Sequence, residues 1–461
     1  MKIKDVIKDP RVIRAIETKG YTEFTPIQAE IIPLIQNGSD VIGQSQTGTG
    51  KTAAFAIPLI EKIDEKLRKP QILVVTPTRE LAVQVAKEFQ SLVKYCDGVR
   101  SLAVYGGEPI GVQIRGIKDG AQIIVGTPGR LMDHLKRKTL RFDDLRCVVI
   151  DEADEMLRMG FRQDIEQIFA SISGETQRLL FSATMPKPIL QITGRFLSNA
   201  AHVKIQTDSV VTDTIHQTVV AIQRDDKKDA LYRILETKNP ERGIIFCNTK
   251  RMVDKITSEL QRKGFSADHI HGDMKQTHRM QVLRQFNDGH LKYLVATDVA
   301  ARGLDIHNVD LVVNYDLPDM EEHYVHRIGR SGRAGKEGES VSLITHGDSG
   351  KLREIERYMD RKVQRAEVPS LQSMNQAKVE QFIVQMTAVM DRGNLEDYLE
   401  IVDHIEELGY STRDLAAALL AKNLLLQRRK ERDINDPSVF QRFKQRRKPF
   451  GKKKYFKKHR R

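Results

Sequence analysis

Short runs of consecutive apolar residues, each bounded by turn formers, alternate with longer stretches of helical period over the first three-quarters of the chain. In the first block the runs fall at 40–43, 72–75, 102–104, 123–125, 148–150 and 179–181. Such runs suit strands covered on both faces, so the pattern predicts a doubly wound parallel sheet with crossover helices. A polar stretch with no apolar period, 207–214, follows and reads as a linker. The rhythm resumes with runs at 219–221, 244–246, 294–296, 312–314 and 341–344, which predicts a second sheet of the same kind.

Beyond Val368-Pro369 the period turns helical. Val379, Phe382, Ile383, Met386, Val389 and Met390 form one stripe; Leu395, Tyr398, Leu399, Val402, Ile405 and Leu408 form a second. Gly409 suits a C-cap, and Ser411 with Asp414 resembles a capping box opening a third helix. Three helices of this size hold too little apolar mass for a stable core of their own. Their stripes should be covered, either by a second copy of the chain or by docking on the second sheet domain. The resulting division is 1–206, linker 207–214, 215–368, a helical element at 369–430, and a tail at 431–461.

Composition changes the picture mainly at the end. The chain of 461 residues carries a net +13, but residues 441–461 hold 12 Lys/Arg and no acid, so 1–440 are close to neutral. The tail mixes those cations with Phe443, Phe450, Tyr455 and Phe456, a composition that cannot bury a core and suits a disordered segment binding a polyanion such as single-stranded RNA. No 18-residue apolar run occurs and the N-terminus lacks the apolar region of a secretory signal, so no membrane association is expected and the cytoplasm is. Cys96, Cys147 and Cys247 match neither a disulfide framework nor a zinc spacing.

Two stretches carry candidate chemistry. Ser45-Gln46-Thr47-Gly48-Thr49-Gly50-Lys51-Thr52 follows the first run of the first block and opens a helical stretch. Glycines there allow backbone N–H groups to face phosphate oxygens, Lys51 reaches the β- and γ-phosphates, and Thr52 offers a hydroxyl to Mg²⁺. The general phosphate-loop pattern is incomplete, because its first glycine falls on Ser45, and a plain strand-to-helix turn is the alternative. At 148–150 an apolar run leads directly into Asp151-Glu152-Ala153-Asp154. Asp151 could hold Mg²⁺ and Glu152 could deprotonate an attacking water, or the acids could simply favour a helix N-terminus.

With these motifs in order, residues 3 to 350 resemble the DEAD-box ATP-dependent RNA helicases, and the helices that follow resemble those of the bacterial cold-shock-type members. The resemblance implies two RecA-like domains in tandem that ATP and RNA close on one another, followed by a dimerisation element and a basic tail. Gln28, in Thr25-Pro26-Ile27-Gln28, falls at the adenine-reading position. Asp305 falls where the ribose is held, and Arg330, Arg333 and His326 lie in the motif that supplies arginine fingers and joins the domains. Lys51, Asp151 and Glu152 take the catalytic roles. For RNA, the resemblance points to Arg79, Gly106, Gly107, Thr127, Gly129 and Arg130 in the first domain, and to Phe246, Gln276, Arg279, Thr297 and Gly303 in the second. Ser182-Ala183-Thr184 matches the segment that couples hydrolysis to RNA binding. Ser45 replaces a usual alanine, Ser331 a usual threonine, and Ile3 stands where the family places an aromatic on adenine. The implied activity is RNA-stimulated ATP hydrolysis coupled to local, non-processive opening of short RNA duplexes and RNP remodelling, in cold shock, ribosome assembly or mRNA decay. Proteins of RNA decay or ribosome assembly are implied partners, and a clamp whose ATP cycle only gates partner exchange is the alternative.

Overall fold

A computed structural model describes residues 3–45, 50–172, 175–205, 214–301, 306, 309–332, 337–424 and 434–435. The chain divides into two compact units that part between strands β7 and β8 as defined below. The linker expected at 207–214 lies outside the described residues except for Thr214.

The first unit holds a seven-stranded sheet of β1 (Val41–Gln44), β2 (Ile72–Val75), β3 (Ser101–Val104), β4 (Ile123–Gly126), β5 (Cys147–Ile150), β6 (Gln177–Ser182) and β7 (Ala201–Lys204), ordered β3-β4-β2-β5-β6-β1-β7. Every pairing is parallel. Residues 72–75 show why the apolar runs do not alternate: Ile72 and Val74 enter one core cluster while Leu73 and Val75 enter the other. Helices on both faces therefore bury successive side chains in opposite directions, and β2, β4 and β5 are buried at every position.

The second unit repeats the arrangement with β8 (Ile215–Ala221), β9 (Gly243–Phe246), β10 (Ala267–Ile270), β11 (Tyr293–Ala296), β12 (Leu311–Asn314), β13 (Gly338–Ile344) and β14 (Gln364–Ala366), ordered β10-β11-β9-β12-β13-β8-β14. All eleven apolar runs lie on strands. The three strands without such a run, β7, β10 and β14, are all sheet edges, where partial exposure permits polar residues such as His202, Asp268 and Arg365.

Three helices follow, Leu371–Arg392, Glu396–Glu407 and Thr412–Leu424. Gly409 adopts the left-handed conformation at φ +91°, and the Asp414 N–H bonds Ser411 Oγ at 3.1 Å, as a C-cap and an N-cap require. The first of these helices docks on helix Lys227–Lys238 through an ion pair of Lys378 with Glu236 at 3.0 Å and a bond from Gln381 Nε2 to the Glu236 carbonyl at 3.2 Å. The stripes are largely uncovered, with Ile383, Met390, Tyr398, Leu399 and Leu408 each more than half exposed. Within the segment read as basic tail, Ile434 is buried in the second unit's core and Asn435 pairs with Ile222 and accepts the Val368 N–H at 2.9 Å. Residues 436–461, with all the expected RNA-binding cations, lie outside the described residues. No helix among the described residues is long and apolar enough to cross a membrane.

Candidate active site

The carboxyl ends of β1, β5 and β6 place the candidate chemistry of the first unit. Gln46, Thr47, Gly48 and Thr49 lie outside the described residues, but both ends of the loop are defined. Ser45 is buried and its N–H bonds the Ser182 carbonyl at 3.2 Å, which ties the loop's start to β6. Gly50 takes φ +91°, a conformation open to glycine at little cost, and caps the helix Lys51–Ile60. Lys51 Nζ bonds the Ser45 carbonyl at 3.0 Å, so its side chain folds back across the loop. Thr52 is the next residue of that helix.

Gln28 is buried on the helix Pro26–Gln36, where its Oε1 accepts the Thr25 N–H at 3.0 Å and its Nε2 donates to the Gly50 carbonyl at 3.2 Å. The carboxamide thus links the adenine-motif position to the phosphate loop. One N–H and one lone pair remain for a further partner. Ile3 packs into the first unit's main core cluster and is 6% exposed, so the aliphatic residue at this position has found a core role.

Asp151 follows β5, is buried, and bonds the Glu152 N–H at 3.0 Å. Burial pushes its carboxyl above the ordinary aspartate range, while the Lys51 charge pulls it back. Such a carboxylate fits a cation: it is desolvated and poorly compensated, and Thr52 supplies a hard oxygen on the neighbouring helix. Glu152 sits in the left-handed region at φ 53°, ψ 50°, a backbone state that costs of order 1–3 kcal/mol for a residue other than glycine. Asp154 accepts the Thr184 N–H at 3.0 Å and the Thr184 hydroxyl at 2.9 Å, and the Asp154 N–H reaches Ser182 Oγ at 3.3 Å. The acidic turn and the Ser182-Ala183-Thr184 segment are therefore one hydrogen-bonded unit.

The glycines Gly106 and Gly107 enclose the Arg79 guanidinium: Gly107 takes φ +95°, and a Cβ there would collide with Arg79 Nη1. Arg130 braces the same loop, with Nε on the Tyr105 carbonyl at 2.9 Å and Nη2 on the Glu108 carbonyl. Its nitrogens are committed to the protein, so it acts on the loop's shape. Thr127 caps the helix Pro128–Lys136, and a side chain at Gly129 would meet open space.

In the second unit, Phe246 ends β9 with its ring turned into the core. It is 1% exposed with the Arg327 guanidinium 5.0 Å above its ring, so only its backbone can face a strand. Gln276 opens the helix Gln276–Asn287, and Arg279 from it bonds the Ala300 carbonyl at 2.7 Å. Thr297 follows β11 and is buried. His326 is half-buried on the helix Glu321–Ile328 and Arg330 is buried just after it. Gly303, Asp305 and Arg333 lie outside the described residues.

Residues 25–192 match the DEAD/DEAH box helicase family model, 226–335 the helicase conserved C-terminal domain, and 369–430 the RNA helicase DeaD dimerization domain. The chain is 46% identical over 396 residues to the DEAD-box ATP-dependent RNA helicase CshA of Bacillus thuringiensis, covering 86% of this chain and 75% of that one. The chain belongs to the DEAD-box ATP-dependent RNA helicases. This helicase is also 43% identical over 435 residues to the ATP-dependent RNA helicase DeaD of Buchnera aphidicola, covering 94% of this chain and 72% of that one. Among solved structures, it resembles S. cerevisiae Dbp5 bound to RNA and ADP BeF3 at TM-score 0.73 and 30% identity, over 83% of this chain and 99% of that one. The two tandem parallel sheets are thus the RecA-like pair of a helicase.

Arg327 of the helicase escaped sequence reasoning although its motif was read. Among the described residues it is the largest fully buried side chain and is fully engaged: Asp298 at 2.5 and 2.7 Å, Asn314 Oδ1 at 3.1 Å, the Asp316 carbonyl at 2.6 Å and Asn248 Oδ1 at 2.9 Å. A buried arginine with its fork filled joins the ends of β9 and β12 to the segments after β11 and before Arg330. Asp154 was likewise passed over, and only its place three residues after Asp151 marked it.

Proposed function

We propose that this helicase couples ATP binding and hydrolysis to local, non-processive opening of short RNA duplexes and to RNP remodelling. The observation that carries the reading is the link from Asp154 to Thr184, because it makes the acidic turn beside Lys51 mechanically continuous with the segment expected to follow RNA.

In this reading Ser45, Gln46, Thr47, Gly48, Thr49 and Gly50 cradle the phosphates and Gln28 reads adenine with its remaining donor and acceptor. Asp305 holds the ribose. Thr52 and Asp151 hold Mg²⁺, which when bound neutralises phosphate charge. Glu152, held at a strained position, aligns and deprotonates water, and Arg330 and Arg333 stabilise charge on the transferring phosphoryl group. Arg79, Gly106, Gly107, Thr127, Gly129, Gln276, Arg279, Thr297 and Gly303 grip the RNA backbone, with Arg130 shaping the first-unit loop. The protein acts in the cytoplasm, in cold shock, ribosome assembly or mRNA decay, and its basic tail adds sequence-independent affinity for RNA.

ATPase turnover with RNA, with DNA and without nucleic acid, measured beside strand separation of a short RNA duplex, tests the reading. Stimulation by RNA above DNA together with strand opening is expected. Stimulation without strand opening would indicate an ATP-gated clamp, and equal stimulation by DNA would remove RNA selectivity, which needs 2′-hydroxyl contacts. The uncovered stripes of helices 371–424 fit pairing between two copies of the chain. Truncation after Pro369 should convert a dimer to a monomer by sedimentation while retaining ATPase activity, and a full-length chain that is monomeric at micromolar concentration would contradict the pairing.

A further inference from the structure

At the β10 edge of the second sheet, three side chains with no part in the helicase chemistry converge. His269 lies on β10 and His271 just beyond its end, so the two point to the same side of the chain, with their rings stacked 5.0 Å apart at 19°. Asp254 reaches them from the helix Lys250–Arg262. Its Oδ1 is 2.9 Å from His271 Nε2 and 3.8 Å from His269 Nε2, and one ligand atom from each of the three residues lies within 4.8 Å of the other two.

We propose that His269, His271 and Asp254 form a binding site for one divalent transition-metal ion, Zn²⁺ by the chemistry of the set. Ligands of a tetrahedral zinc site, with bonds near 2.0–2.1 Å, stand roughly 3.3 Å apart; both Asp254 distances lie within about half an ångström of that, and the two ring nitrogens, within 4.8 Å of each other, need to close by no more than about 1.5 Å. Two imidazole nitrogens and one carboxylate oxygen suit zinc and its neighbours, whereas Mg²⁺ and Ca²⁺ require oxygen ligands. The Asp268 carboxylate, which accepts the His269 backbone N–H, lies 3.0 Å from His269 Nδ1 without the angle of a hydrogen bond, within reach of becoming the outer support of a metal-binding histidine. Asp254 is 54% exposed, which leaves an entry path and a fourth position for water. A single surface hydrogen bond would explain His271 and Asp254 but not the second ring directed at the same oxygen.

His271 Nδ1 accepts the Asp273 N–H at 3.3 Å, so the hydrogen-bond network assigns the ring hydrogen to Nε2. Coordination at Nε2 moves that hydrogen to Nδ1, where it opposes the Asp273 N–H. The turn from Gly272 to Lys275, which leads into the helix Gln276–Asn287, must then give up that bond.

Zinc binding to the full-length chain, measured by competition with a chromophoric chelator, tests the site. One Zn²⁺ per chain is expected, undisturbed by millimolar Mg²⁺, and at least tenfold weaker in both Asp254→Asn and His269→Gln, two variants that preserve side-chain size. Both variants should keep wild-type ATPase activity in Mg²⁺ alone, which shows that they are folded. Absence of zinc binding, or wild-type affinity in both variants, would overturn the proposal and, in the second case, place the ion on other histidines such as His404 or His459.

Discussion

The two sheets follow the same path: counted within each unit, the strand order is third, fourth, second, fifth, sixth, first, seventh. What differs is the chemistry at the carboxyl ends of the first and fifth strands. After β1 the chain makes a glycine-rich loop and enters a helix at Lys51; after β8 it makes a 3₁₀ turn, Arg224–Asp226, and enters a helix at Lys227. After β5 come Asp151 and Glu152; after β12 come Tyr315 and Asp316. In the second unit Lys227 Nζ donates to the Tyr315 carbonyl at 2.7 Å and to Asp316 Oδ1 at 3.1 Å. In the first, no direct ion pair joins Lys51 to Asp151 among the described residues, and Asp151 is left with a raised carboxyl. In the proposed reading, identical wiring serves a nucleotide site only where cation and carboxylate are kept apart for phosphate and metal. Where they meet directly, the same position becomes an internal ion pair. Open α/β sheets bind ligands beyond the carboxyl ends of their strands, and here the occupant of that region differs between the two copies.

The contrast can be broken most forcefully at Glu152. Glu152→Gln should lower ATP turnover by at least about a hundredfold while ATP affinity stays near wild type, as expected when a general base is removed without disturbing binding. Steady-state turnover beside nucleotide titration reads this, and unchanged turnover would move the base elsewhere.

A smaller effect is expected on the closed side. Lys227→Ala leaves a part-buried Asp316 and the Tyr315 carbonyl without their cation, and should cost about 2 kcal/mol in denaturant unfolding of the second unit with no change in ATP affinity. A loss of nucleotide binding instead would mean that the second sheet retains a phosphate role.

Ile3→Phe should have the smallest effect. The side chain already fills a core position, so the larger ring should destabilise the first unit by about 1 kcal/mol and leave ATP affinity unchanged. Tighter ATP binding would show that the pocket can still accept an aromatic.

Much of this contrast was legible in the sequence, and the exceptions have physical causes. Central strands announce themselves because both faces are buried. The edges β7, β10 and β14 do not, since exposed residues such as His202 and Arg365 interrupt any apolar run. The loop, the acids and the Ser182-Ala183-Thr184 segment were visible as motifs, but the left-handed Glu152 backbone and the Asp154 to Thr184 bonds depend on how β5 and β6 end side by side. The burial of the Phe246 ring and the role of Arg327 were not legible for one reason: a motif shows which residues matter without showing which side of a strand end each occupies. Arg130 carried an RNA position by motif alone, and its bonds to the Tyr105 and Glu108 carbonyls depend on the loop's fold and left no mark in the sequence. The return of Ile434 to the second core left no signal, since a lone isoleucine in a polar segment has no period.

Nucleotide stoichiometry in paired variants tests the central claim most directly. Equilibrium binding of a non-hydrolysable ATP analogue with Mg²⁺ should show one nucleotide per chain in the wild type and in Lys227→Ala, and loss of that site in Lys51→Ala. Two nucleotides per chain, or loss of binding in Lys227→Ala with Lys51→Ala unaffected, would contradict the assignment of the site to the first sheet alone.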